Sequence, residues 1–86
     1  MIEYNNGKVL LDFYANWCGK CKMLMPKVDE IAKNNPDLKV IKVNVDEEPD
    51  LVNKFMITNL PHFILLDNGE VKKIGGMEIL NELEVN

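Results

Sequence analysis

The sequence predicts an α/β fold in which a central mixed four-stranded sheet is flanked by helices, with the element order β-α-β-α-β-β-α. Three observations carry that expectation. Residues 8–15 hold an almost continuous apolar run, Val9-Leu10-Leu11 and Phe13-Tyr14, as in a parallel strand covered on both faces. The apolar spacing then changes to a helical period after Cys18. Finally, Asn68-Gly69 separates two strand-like runs near the C-terminal end, which is a strong short-range hairpin signal.

The elements follow in order. In residues 18–34, Cys21, Leu24, Met25, Val28, Ile31 and Ala32 fall on one stripe, with lysines and carboxylates mostly elsewhere. Pro26 is expected to kink this helix without ending it, because the stripe continues to Asn34-Asn35-Pro36. A second Val- and Ile-rich strand spans residues 38–44. Asp46-Glu47-Glu48-Pro49 reads as a helix start, since carboxylates suit the positive end of the dipole and Pro is tolerated in the first turn. Leu51, Val52, Phe55 and Met56 continue that short helix. The hairpin strands occupy residues 62–67 and 70–74, Gly75-Gly76 ends the second, and residues 77–84 form a last helix on Ile79, Leu80 and Leu83.

The 86 residues suit a single domain, 1–86, with 47% hydrophobic and 28% charged side chains, a balance unlike that of a disordered chain. No apolar run approaches the ~20 residues of a membrane span, so no membrane partner is expected. Residues 1–8 show neither a basic nor an apolar segment of a secretion signal, and a cytoplasmic location is the expectation. The net charge is −4 and every cation is Lys, which removes the residue best suited to gripping phosphates and makes nucleic acid an unexpected partner.

Cys18-Gly19-Lys20-Cys21 falls where the first strand hands over to the first helix. A bridge closing so short a loop constrains the unfolded chain little, so its use is chemical rather than structural. Cys18 at a helix N-terminus meets unpaired N–H groups and the dipole, which favour the thiolate that disulfide exchange requires. Cys21, one turn on, can close the bridge. Cys18 is expected to be the exposed, attacking thiol and Cys21 the resolving one. A zinc site would need further ligands beyond His62 and a carboxylate, so no metal is expected. No G-x-G-x-x-G fingerprint is present, and no cofactor is expected.

The segment Leu11-Asp12-Phe13-Tyr14-Ala15-Asn16-Trp17-Cys18-Gly19-Lys20-Cys21-Lys22 resembles the active-site segment of the thioredoxin family. The likeness continues through Pro26, Lys42-Val43-Asn44-Val45-Asp46, Leu60-Pro61, Asp67-Asn68-Gly69-Glu70 and Gly75-Gly76, over nearly the whole chain. It implies a minimal thioredoxin-like fold without the family's usual first strand, keeping at most the end of its first helix in residues 1–6. How the sheet edge left open is covered is not legible in the sequence.

The resemblance implies a dithiol–disulfide oxidoreductase that reduces protein disulfides and is recycled by a separate donor, a thioredoxin reductase. It implies a proton-accepting role for Asp12 beside the resolving cysteine, with Lys42 moderating the cost of charging it. Burial in an apolar strand independently argues that the pKa of Asp12 is raised. It also implies a substrate-facing surface of Trp17, Gly19, Lys20, Leu60, a cis Pro61 and Gly75, with the residue before the proline offering backbone hydrogen bonds. Two positions depart from the family pattern. Lys20 replaces the usual Pro, and its charge should favour the Cys18 thiolate. His62 replaces the usual Thr and is either a hydrogen-bonded packing residue or a second tuning group. A glutathione-coupled, glutaredoxin-like reductase and a binding subunit indifferent to its cysteines are the alternatives. A monomer is expected.

Overall fold

The computed structural model describes residues 2–84. Seven elements appear in the expected order: β1 (Lys8–Tyr14), α1 (Gly19–Asn34), β2 (Leu38–Asn44), α2 (Pro49–Lys54), β3 (His62–Asp67), β4 (Glu70–Gly75) and α3 (Met77–Glu84). The strands form one sheet in the order β2-β1-β3-β4. β1 and β2 are parallel, with Asp12 opposite Lys42, whereas β3 runs antiparallel to both β1 and β4. This is the mixed four-stranded sheet that the hydrophobic pattern implies.

Strand alternation divides the core between the two faces of the sheet. On one face Leu10 and Phe63 pack with Val28 and Ile31 of α1 and with Ile79 and Leu80 of α3. On the other, Val9, Leu11, Phe13, Val43, Ile64 and Leu66 pack with Tyr4, against Leu51 and Phe55 from α2 and its end. Because both faces of β1 are covered, residues 9–13 are all buried, and Asp12 is buried with its apolar neighbours.

The hairpin turn places Asn68 at φ 51° and Gly69 at φ 84°, the positive pair that a type I′ turn requires. α1 runs on through Pro26 to Asn34. Two expectations are corrected. α2 ends at Lys54, so Met56 does not continue it. Met56 adopts φ 53° and is exposed, which turns the chain so that Ile57, whose N–H donates to the Val52 carbonyl at 3.0 Å, takes the place against the core. Residues 2–7 hold no helical remnant, while Met1 lies outside the described residues. They form an irregular arm pinned to the hairpin, with the Gly7 N–H donating to Asn68 Oδ1 at 2.8 Å. Tyr4 of this arm stacks edge-on against Phe55, with ring centroids 5.6 Å apart.

β2 and β4 are the sheet edges among the described residues. A hydrogen bond ties the arm to β2, where Lys39 Nζ donates to the Glu3 carbonyl at 3.3 Å. Lys39 and Lys42 both belong to this open edge strand.

Candidate active site

The chemistry is assembled where β1 ends. Beyond Tyr14 the chain turns through Asn16 and Trp17, and Cys18 becomes the N-cap of α1 with extended backbone angles. Its N–H donates to the Ala15 carbonyl at 3.1 Å, while its Sγ accepts the Cys21 N–H at 3.1 Å. A free N–H at the start of a helix is therefore aimed at the sulfur of Cys18, where it would stabilise a thiolate. Gly19, the first residue of α1, has open space where a side chain would stand.

Cys18 and Cys21 are joined as a disulfide, with Cα atoms 5.3 Å apart. They pack with Ala15, against Tyr14, Val45 and Leu60. The expectation of an exposed Cys18 is corrected here, because these neighbours leave it only 8% accessible, against 4% for Cys21.

Asp12 lies in β1 on the α1 face, six residues before Cys18 in the chain. Loss of water pushes its pKa from 3.8 up to about 6, with the charge of Lys42 working against the rise and that of Asp29 adding to it. Lys42 does not spend its ammonium on Asp12 alone, because Nζ donates to Asp29 Oδ1 at 2.8 Å. Asp29, on α1, was not among the residues that the sequence pointed to. Its only prior signal was its place beside Val28, at the margin of the buried stripe.

On the β2 side, Trp17 is 70% exposed and held like a flap: its Nε1–H donates to Asp46 Oδ2 at 3.0 Å. Asp46 is itself fixed, its N–H donating to Asn44 Oδ1 at 2.9 Å. The sequence marked Asp46 as part of a helix start; the structure gives it a partner in the active-site turn.

The opposite side is a groove of 630 Å³, whose first wall is Gly19, Lys20, Met23 and Leu24 of α1. The loop before β3 contributes Leu60 and Pro61, joined by a cis peptide, and the start of α3 contributes Gly76 and Met77. Gly75 stands just behind. A side chain there would collide with the Glu78 carboxylate, which accepts the Gly76 N–H at 2.7 Å. His62 follows the cis bond, and its Nε2 is buried without a hydrogen-bond partner. Burial lowers its pKa, while the Glu78 carboxylate pulls the other way. The expectation of a hydrogen-bonded packing residue therefore does not hold at this nitrogen.

A reversible bridge at a helix start, a sulfur-directed N–H and a buried acid in the adjoining strand define a dithiol–disulfide oxidoreductase. Comparison with known proteins agrees. The thioredoxin family profile matches residues 1–85, and the chain belongs to the thioredoxin family. Thioredoxin from Rickettsia felis is 49% identical over 70 residues, spanning 78% of this chain and 67% of that one. Mitochondrial thioredoxin-3 from Saccharomyces cerevisiae is 39% identical over 66 residues, spanning 77% of this chain and 52% of that one. The crystal structure of oxidised mitochondrial thioredoxin 3 from Saccharomyces cerevisiae superposes with a TM-score of 0.84, at 30% identity over 94% of this chain and 80% of that one.

Proposed function

We propose that the protein works in the reducing direction, as a monomeric single domain of residues 1–86, opening disulfides of other proteins through Cys18 and closing them off through Cys21. The observation that carries this order is the Cys21 N–H donating to Cys18 Sγ, since it favours charge on one sulfur of the pair. The Cys18 thiolate attacks one sulfur of the target, forming a mixed disulfide and expelling the other target sulfur as a thiolate that takes up a proton. Cys21 then loses its proton and attacks Cys18, closing the bridge and releasing the second target thiol. Two electrons pass from the dithiol to the target, with one proton from Cys21 and one from solvent, into which Cys18 had already released its own. A separate donor, a reductase of the thioredoxin reductase class, restores both.

Asp12 is the proton acceptor for Cys21 in this scheme. A carboxyl with a pKa of about 6 is ionised at neutral pH yet still basic enough to hold a proton during exchange. Lys42 and the Asp29 to which it is bound act as positioning charges around it. We place the protein's action in the cytoplasm. The Rickettsia relative is bacterial, the yeast relative is mitochondrial, and no described helix is long and apolar enough to cross a membrane.

The test is a trapping experiment joined to a turnover assay. Reduced Cys21→Ser should attack disulfide-bonded insulin and accumulate a mixed disulfide with an insulin chain, and Cys18→Ser should not. Insulin reduction should proceed with a thioredoxin reductase and NADPH. Turnover with glutathione and glutathione reductase alone would instead mark the glutaredoxin-like alternative. Trapping by Cys18→Ser would reverse the assignment of the two thiols.

A further inference from the structure

We infer that the groove beside the disulfide selects extended peptides that carry an acidic side chain next to the reactive cysteine, with Lys20 as the selecting charge and Met23 and Met77 as walls that adapt to the rest. The inference rests on the disulfide-reductase reading above and adds a substrate class to it. Its basis is the distribution of charge around the opening. Of the residues lining the groove, Lys20 alone is charged. Among the described residues, Lys27, Lys42, Lys72 and Lys73 each meet a carboxylate within 3.0 Å, whereas Lys20 pairs with none. The Glu78 carboxylate, which accepts the Gly76 N–H, is not part of the groove lining.

Lys20 therefore puts the one charge of the groove lining, a cation, beside the site of exchange in a protein whose net charge is −4. Remote charges are screened beyond about 8 Å at physiological ionic strength, so the local cation dominates what a docked peptide feels. The walls supply no competing polar demand. Met23 is 80% exposed and Met77 is 50% exposed, and unbranched thioethers accommodate many apolar neighbours without a fixed shape. Discrimination by charge and tolerance of side-chain shape follow from the same groove.

The test uses three disulfide-bonded peptides identical except for Glu, Gln or Lys beside the reactive cysteine. For the parent protein, kcat/KM should fall in the order Glu, Gln, Lys, with about a two- to fivefold step carried by KM, as befits a solvent-exposed ion pair. The steps should shrink in 0.5 M salt, a concentration at which screening reaches within about 5 Å. Lys20→Gln should bring the three peptides together, and Lys20→Glu should invert their order. Lys22→Gln, on an exposed α1 position outside the groove, should keep the parent order. Any change that Lys20 makes to the redox potential acts on all three peptides alike, so the ratio is blind to it.

A parent enzyme without this order, an order surviving Lys20→Gln, or an equal loss in Lys22→Gln would each overturn the inference. The uncharged disulfide 4,4′-dithiodipyridine serves as the companion substrate. Failure to reduce it would bring down the reductase reading and the selection with it. Its reduction without any peptide order would bring down the selection alone.

Discussion

Asp12 shows what burying a single carboxyl costs the fold. Its folded pKa of about 6 lies above the unfolded value of 3.8, so the native state holds the proton more tightly. The resulting penalty is absent below pH 3.8, grows between 3.8 and 6, and is complete above 6. Asp12→Asn should therefore raise stability at pH 8 by on the order of 2–3 kcal/mol, read as a higher urea midpoint, with little gain at pH 3.5. The same variant should slow insulin reduction. At Lys20, return of the family's Pro is sterically allowed in the first turn of a helix. Lys20→Pro should make the couple more reducing by on the order of tens of millivolts, measured by equilibration against glutathione. Both cysteines, Asp12 and Lys20 were legible in the sequence because they lie within one strand and the first turn of the helix that follows it. Asp29 and Asp46 were not. Their contacts with Lys42 and Trp17 join residues 13 and 29 positions apart, and only the crossover from β1 through α1 to β2 brings them together.

At the scale of elements, the start of α3 couples two features of the groove. The Glu78 carboxylate caps the Gly76 N–H and also bears electrostatically on His62. Because that carboxylate raises the His62 pKa against the effect of burial, Glu78→Gln should lower it further. A proton NMR titration of the imidazole reads this directly, and an unchanged midpoint would remove the coupling. The helices and the hairpin were readable from period and turn chemistry, since Asn68-Gly69 accepts positive φ at both positions. The end of α2 was not. Leu51, Val52, Phe55 and Met56 share a helical spacing, yet the left-handed Met56 substitutes Ile57 at the core. Apolar spacing alone does not register a backbone reversal.

Over the whole molecule, the two faces of the sheet close differently. The α1 and α3 side is sealed by amphipathic helices, whereas the α2 side depends in part on Tyr4 from the irregular arm. Tyr4 is 9% exposed, with Lys54 Nζ 5.2 Å from its ring centroid. Tyr4→Ala should cost about 3 kcal/mol of stability, read as a lower denaturation midpoint, while the bridge geometry stays intact. This contribution was hidden in the sequence, because one aromatic among polar residues carries no periodicity.

The open edge at β2 has a consequence for the protein as a material. An unpaired strand invites copies of itself to add on, and fibrous aggregates begin that way. A strand approaching β2 meets Lys39 and Lys42, which turn alternate faces of the edge into a charged hedge. Replacing both residues, Lys39→Gln with Lys42→Gln, would remove the hedge while leaving the apolar Leu38, Val40, Ile41 and Val43 in place. The double variant should form thioflavin-positive aggregates at concentrations where the parent protein stays clear.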